Sequence, residues 1–141
     1  MDKLAASCTK NDDRGIFDDD LVEIYIDTPE RSYFKICVNP NGAIWDESTD
    51  VTIINRDTLP ILWNPGIKAV VKKYADRWEV EMIIPTADFG KLGPTRQYPW
   101  GLNICRTRIV DRGVRSAQSS ALAPTGGTYK TQKYWARIWK R

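Results

Sequence analysis

The segment FDDDLVEIYID, residues 17–27, decides how this chain should fold. Aliphatic side chains at alternate positions would lie on one face of a strand, with Glu23 on the other. These aliphatic residues are Val22, Ile24 and Ile26. Glu23 is therefore expected on a rigid strand, six residues after the aromatic ring of Phe17. A carboxylate accepts hydrogen bonds from hydroxyl groups and a ring face covers C–H surface, which are the contacts that a sugar requires.

Turn signals divide the rest of the chain into short strand-like segments. The sequence NPNG at residues 39–42 predicts a tight reversal, because Pro and Gly adopt the backbone angles that it needs. Residues 75–77 connect two alternating segments as a hairpin, and residues 86–89 form one helical turn. Residues 46–66 are expected to be irregular and residues 111–128 to form a long polar loop. Strands are predicted at residues 4–9, 21–27, 32–38, 43–45, 67–74, 78–84, 100–109 and 134–140.

This pattern predicts an all-β fold, an antiparallel β-sandwich of the immunoglobulin or jelly-roll kind with at most one short helical turn. The chain of 141 residues fits one domain, residues 1–141. No apolar run approaches the roughly 20 residues of a membrane helix. The first six residues also lack the apolar centre of a secretory signal. We therefore expect an excised domain that does not enter a membrane.

Composition excludes several chemistries. The chain has no histidine, which excludes Ser-His-Asp and Cys-His catalysis, histidine metal sites and histidine-ligated haem. A net charge of +3 without a basic stripe argues against nucleic-acid binding. The three cysteines form no C-x-x-C pair, which argues against a zinc or thioredoxin-like site. Cys37 and Cys105 are expected to be buried thiols, and a disulfide between Cys8 and Cys37 stays open.

The order and spacing of five motifs resemble the family 9 carbohydrate-binding modules. The motifs lie at residues 19–27 (DDLVEIYID), 34–42 (FKICVNPNG), 78–85 (WEVEMIIP), 100–106 (WGLNICR) and 123–129 (APTGGTY). The resemblance implies a β-sandwich that binds mono- or oligosaccharides without cleaving them. It also implies an accessory module beside a catalytic domain in an extracellular, cell-surface or periplasmic polysaccharide-processing protein.

The family's first strands have no counterpart in the resemblance, which runs from about residue 4 to residue 138. This implies a domain that is truncated at its N-terminus, a domain whose first strands come from elsewhere, or a shortened variant. An exposed sheet edge could then support a homodimer.

The resemblance also assigns candidate ligand-binding residues. Phe17 and Tyr129 align with the two rings that hold a sugar, and Glu23 aligns with the carboxylate. Lys35 is a rough substitute for a basic residue of the family. The family's best binders carry Trp at both ring positions, so the smaller Phe and Tyr rings imply weaker binding. The alternative is that Phe17 anchors a loop to the core, Glu23 is solvated or ion-paired, and Tyr129 packs on the sheet edge.

Three further features are candidates for binding. Trp63 lies between two prolines and is the tryptophan expected to be exposed, where it would extend the binding surface. Arg106 could contact the ligand, although pairing with Glu23, Asp19 or Asp20 is favoured. The run Asp18, Asp19 and Asp20 could hold a structural calcium ion, as in relatives, but its spacing matches no EF-hand loop.

Other functions compete with sugar binding. One is a structural or interaction module on the same fold with a decayed sugar site, which the loss of both family tryptophans favours. A glycosidase would need Glu23 to face Glu79 or Glu81, and nothing in the spacing favours that pairing. A haem-binding relative is poorly supported, because Met82 is expected in the core. We therefore expect no enzyme activity.

Overall fold

The structure is a computed structural model that describes residues 4–49, 63–111, 113 and 116–140. It is a β-sandwich of two antiparallel sheets, which confirms the predicted fold class. The larger sheet has the order β3-β2-β1-β6-β7, with β8 also pairing with β6, and the second sheet is the hairpin β4-β5. The strands are β1 (Leu21–Thr28), β2 (Arg31–Val38), β3 (Ile44–Thr49), β4 (Lys68–Lys73), β5 (Trp78–Ile83), β6 (Trp100–Asp111), β7 (Ser116–Ala121) and β8 (Ala136–Ile138).

The central strand β1 presents two different faces, as its alternation predicted. Ile24 and Ile26 join Phe34 and Ile36 of β2 in a buried cluster. Met82 of the hairpin packs against this cluster, so the apolar core lies between the two sheets. We call this side of the larger sheet the core face.

The opposite side of the larger sheet carries functional candidates, and we call it the Glu23 face. It bears Glu23 and Tyr25 of β1, Lys35 of β2, Trp45 of β3 and Thr107 of β6. The segment before β1 covers one end of this face, where Cys8 and Ile16 pack with Trp45. The segment before β8 covers another part, where Trp135 packs with Tyr25.

Several sequence predictions about local structure were wrong. The strand predicted at residues 43–45 is longer, since β3 runs from Ile44 to Thr49 and takes in residues 46–49 that were expected to be irregular. Residues 4–9 form no strand, and their backbone instead donates hydrogen bonds to aspartates 19 and 20. The predicted loop 111–128 contains β7, whose sequence SAQSSA has no apolar alternation because all but its last residue are exposed at the sheet edge. Besides the predicted turn Thr86–Phe89, single 3₁₀ turns occur at Arg14–Asp18 and Gln132–Tyr134.

The three cysteines are free and buried, so the disulfide between Cys8 and Cys37 does not form. Within the described ranges, we find no helix with the length and apolar character that crossing a membrane requires.

Asp46 is a buried carboxylate on the core face of β3, opposite Ile36. The residue is 7% exposed, and its Oδ1 atom has no hydrogen-bond partner among the described residues. Burial, together with the negative charge of Asp12, raises the pKa of Asp46 to about 7. The ionised form of Asp46 is therefore costly in the folded state near neutral pH.

Replacing Asp46 with asparagine is expected to flatten the pH dependence of stability. The folded wild type binds the proton of Asp46 more tightly than the unfolded chain does. The free energy of unfolding therefore falls as pH rises from 3.8 through about 7. As the pH rises from 5 to 8, the free energy of unfolding of Asp46→Asn should increase by about 2–3 kcal/mol relative to that of wild type. Urea unfolding at both pH values measures this gain.

The exposed residue Asp18 offers a control, since Asp18→Asn removes an acid that is not buried. The gain in stability between pH 5 and pH 8 should be specific to Asp46→Asn. The same pH dependence in Asp46→Asn and in wild type would show that Asp46 titrates normally.

Candidate functional site

Glu23 lies at the centre of the Glu23 face and is only 6% exposed. Its Oε1 accepts a hydrogen bond from Thr107 Oγ1 at 2.9 Å, and its Oε2 accepts one from the Tyr25 hydroxyl at 3.0 Å. Lys35 Nζ lies 3.4 Å from Oε2 as an ion pair. Counting partners among the described residues, these three use most of the roughly four acceptor positions of a carboxylate and leave about one, at Oε1.

Lys35 connects the carboxylate to the exposed aromatic ring. Its Nζ lies 4.5 Å from the centre of the Phe17 ring, within cation–π range. Burial alone would lower the pKa of Lys35, but the negative charges of Glu23 and Glu47 favour its protonated form and the pKa is raised. Lys35 therefore remains protonated, and its ammonium group is a hydrogen-bond donor between Phe17 and Glu23.

Phe17 is anchored and accessible at the same time. Its ring packs edge-on against Trp45, with 5.1 Å between the ring centres, while the residue stays 39% exposed. The sequence left open whether Phe17 anchors a loop or meets a ligand, and this geometry is compatible with both roles.

Tyr129 approaches the same face from the loop that follows β7. Its ring centre lies 6.2 Å from that of Tyr25, and its hydroxyl donates a hydrogen bond to the backbone oxygen of Arg106 at 3.0 Å. The backbone oxygen of Tyr129 accepts a hydrogen bond from Trp135 Nε1 at 3.0 Å. Tyr129 is half-buried, so part of its ring faces solvent.

The electrostatics of this face keep its neutral groups protonated. Burial and the charge of Glu23 raise the pKa of Tyr25, whose hydroxyl donates a hydrogen bond to that carboxylate. Burial and Glu23 also raise the pKa of Cys105 to about 12, and burial raises that of Cys37. Both thiols are therefore poor nucleophiles, because the thiolate is the reactive form.

Two predicted site residues lie elsewhere. Arg106 pairs across the sheet with Val22, so its exposed side chain is on the core-face side of β6. The expected ion pair between Arg106 and Glu23 is therefore wrong, and Lys35 takes that place. Trp63 is half-buried against the inter-sheet core, with ring centres 4.8 Å from Phe34 and 5.1 Å from Phe89. The expectation of an exposed Trp63 near the site was also wrong, and Trp139 is more exposed at 49%.

The aspartate run separates into residues with different surroundings. Asp19 is fully buried and accepts hydrogen bonds from the backbone N–H groups of Ser7 and Cys8, both at 2.8 Å. Asp20 accepts a hydrogen bond from Ile109 N at 2.7 Å, whereas Asp18 is exposed. The described residues contain no group of three or more His, Cys, Asp or Glu side chains that could hold a metal ion. Calcium binding at this run stays a prediction.

Neither Glu79 nor Glu81 faces Glu23, so these residues do not form the carboxylate pair of a glycosidase. Glu79 lies on the hairpin and makes an exposed ion pair with Arg77. Glu79 and Glu81 alternate with Val80 and Met82, and Met82 packs into the inter-sheet core. Both acids therefore point away from the larger sheet, on the opposite side of the sandwich from Glu23.

Several residues of the face were not singled out by sequence. Tyr25 and Thr107 bind the Glu23 carboxylate, and Tyr33 and Trp135 pack around the Tyr25 ring. Tyr25 and Tyr33 do follow the same alternation as Glu23 and Lys35, which is a signal that could have placed them. Thr107 needed the pairing of β1 with β6, which lies more than 80 residues away in the chain.

Comparison with known proteins found no protein-family profile, no curated protein and no solved structure that matches this chain. The resemblance to family 9 carbohydrate-binding modules therefore stays a prediction from the sequence motifs.

Proposed function

We propose that this chain binds carbohydrate without cleaving it, through the exposed part of the Glu23 face. Phe17 and Tyr129 supply ring surface for the apolar faces of the sugar. Lys35 donates to a sugar hydroxyl, and the remaining acceptor position of Glu23 receives one. In a larger polysaccharide-processing protein outside the cytoplasm, such a module raises the concentration of substrate near a catalytic domain.

One observation carries the proposal. Phe17, Glu23 and Lys35 come from one N-terminal stretch and Tyr129 from a segment about a hundred residues later, and all four lie on one side of one sheet. Rings beside a hydrogen-bonding charged pair match the mixed apolar and hydroxyl surface of a pyranose. The ring positions are the ones that the sequence motifs assign to sugar contact.

Replacing Phe17 or Tyr129 with alanine is expected to abolish measurable sugar binding. Each ring contributes about 0.5–1.5 kcal/mol beyond buried area, which is a large share of a weak affinity. Isothermal titration of the folded wild type and both variants against glucose, xylose and their β-1,4-linked oligosaccharides measures the loss, with and without calcium.

Tyr98→Ala is the matched control. Tyr98 is 38% exposed, close to the 39% of Phe17, and precedes the end of β6 that pairs with Asp27 rather than with Glu23. Retained binding in Tyr98→Ala and lost binding in Phe17→Ala would place the site. Equal losses in both variants would argue against it.

The three protein partners of Glu23 favour one second candidate, an interaction module on the same fold with a decayed sugar site. A carboxylate that already has three protein partners has little capacity for sugar hydroxyls. If the folded wild type binds none of the sugars, this candidate replaces the proposal.

A further inference from the structure

Tyr33 is a half-exposed aromatic residue on the Glu23 face that the proposed site does not use. It lies on β2 two positions before Lys35, so the two side chains point to the same side. Two residues span roughly 7 Å along a strand, which places Tyr33 beside the proposed site and not within it. Lys35 itself marks that site through its contacts with Phe17 and Glu23.

The Tyr33 ring is held in place before any ligand arrives. Its centre lies 6.0 Å from that of Tyr25 and 6.2 Å from that of Trp135, the latter in an edge-on arrangement. Tyr25 also packs against Tyr129, so the Tyr33 and Tyr129 rings both contact the same buried ring. A ring fixed by such contacts loses little side-chain freedom when a ligand covers it.

The ammonium group of Lys130, a hydrogen-bond donor, lies near the Tyr33 ring. Lys130 Nζ lies 6.0 Å from the Tyr33 ring centre, and the residue is exposed. Among the described residues, no acidic side chain forms an ion pair with Lys130. Its ammonium group therefore remains available to donate to a ligand hydroxyl above the ring.

We propose that Tyr33 and Lys130 form a second sugar subsite beside the Phe17–Glu23–Tyr129 site, so that the ligand is a polysaccharide chain contacted over at least two consecutive sugars. This inference rests on the proposed function. It assigns to Tyr33 the ring contact and to Lys130 the hydrogen bond of the second sugar.

The test compares titrations of a monosaccharide and of its β-1,4-linked hexasaccharide, for glucose and for xylose. Wild type should bind the hexasaccharide about tenfold more tightly than the monosaccharide, the factor that one added ring contact provides. Tyr33→Ala should lose this gain and keep the monosaccharide affinity. Tyr33→Phe retains the ring and should keep most of the gain, and Lys130→Gln should lose part of it.

Chain-length-independent affinity in the folded wild type would overturn the second subsite and leave the proposed function intact. An equal loss of monosaccharide and hexasaccharide binding in Tyr33→Ala would also overturn it, provided that near-ultraviolet circular dichroism shows native packing of Tyr25 and Trp135. Absence of binding to every sugar in the folded wild type would overturn the proposed function itself, and the subsite with it.

Discussion

Replacing Glu23 with alanine is expected to lower the free energy of unfolding by about 3–5 kcal/mol, the usual cost of removing one partner of a buried ion pair. The change leaves Lys35, which is 9% exposed, without its nearest carboxylate. It also removes the acceptor of the Tyr25 and Thr107 hydroxyl groups. Urea unfolding followed by tryptophan fluorescence measures the loss.

Removing the lysine as well should recover part of this loss. In the double variant Glu23→Ala/Lys35→Met neither charge of this pair remains, so it should be more stable than Glu23→Ala alone although it carries two changes. Glu79→Ala is the control, because Glu79 forms an exposed pair with Arg77 and exposed pairs contribute little to stability. Similar losses in Glu23→Ala and Glu79→Ala would contradict a buried pair at Glu23.

Replacing Asp19 with alanine is the second change with a large expected effect, again a loss of about 3–5 kcal/mol. The buried carboxylate accepts hydrogen bonds from Ser7 N and Oγ, Cys8 N and Asn39 Nδ2, all between 2.8 and 2.9 Å. These contacts connect the segment before β1 to the turn after β2. Loss of the carboxylate removes the acceptor of the Ser7 and Cys8 N–H groups, whereas Asn39 Nδ2 keeps its hydrogen bond to the backbone oxygen of Cys8.

The variant Asp19→Asn keeps the shape of the side chain but changes its hydrogen-bonding groups. Asparagine has nearly the same shape, but its amide group would place a donor against the Cys8 N–H or the Asn39 amide. We expect a loss of at least about 2 kcal/mol, since buried donors would remain unpaired. The adjacent Asp18→Ala, at an exposed position, should change stability by less than about 0.5 kcal/mol. Comparable losses at both positions would contradict the structural role of Asp19.

The pH dependence provides an independent readout for Asp19. Burial would raise the pKa of this carboxyl, but the hydrogen bonds from Cys8, Ser7 and Asn39 outweigh burial and lower the pKa below 3.8. Its contribution to stability is therefore present above the unfolded pKa of about 3.9 and is lost as pH falls through the lower, folded value. Asp19→Ala should lack this acid-side loss. Repeating the unfolding with calcium tests the metal prediction, since a bound ion would stabilise wild type more than the variant.

The strands whose two faces differ clearly in apolar and polar residues were predictable from the sequence. In β1, apolar and polar residues alternate because one face packs into the core and the other carries Glu23 and Tyr25. The hairpin of β4 and β5 was also placed within one residue at each end. In contrast, β7 is an exposed edge strand, where neither face needs apolar side chains, and it left no pattern to detect.

The partners within the candidate site were less predictable. Lys35 was expected near the site only as a rough substitute, and Glu23 was expected to pair with an arginine if it paired at all. The register puts Tyr25 opposite Lys35 and Cys37 opposite Glu23, so Lys35 lies diagonal to the carboxylate and reaches it. Strand alternation turns Arg106 to the other face, where it cannot reach Glu23.

The sequence alone determined the fold class, the side of β1 on which Glu23 lies and the turns that end the strands, because these follow from local alternation and from Pro and Gly. Only the tertiary structure decided that Lys35 lies between Phe17 and Glu23, that Thr107 occupies the second carboxylate oxygen, and that Trp63 packs into the core. Those contacts join segments that are distant in the chain, and strand register and sheet order set them rather than any short motif.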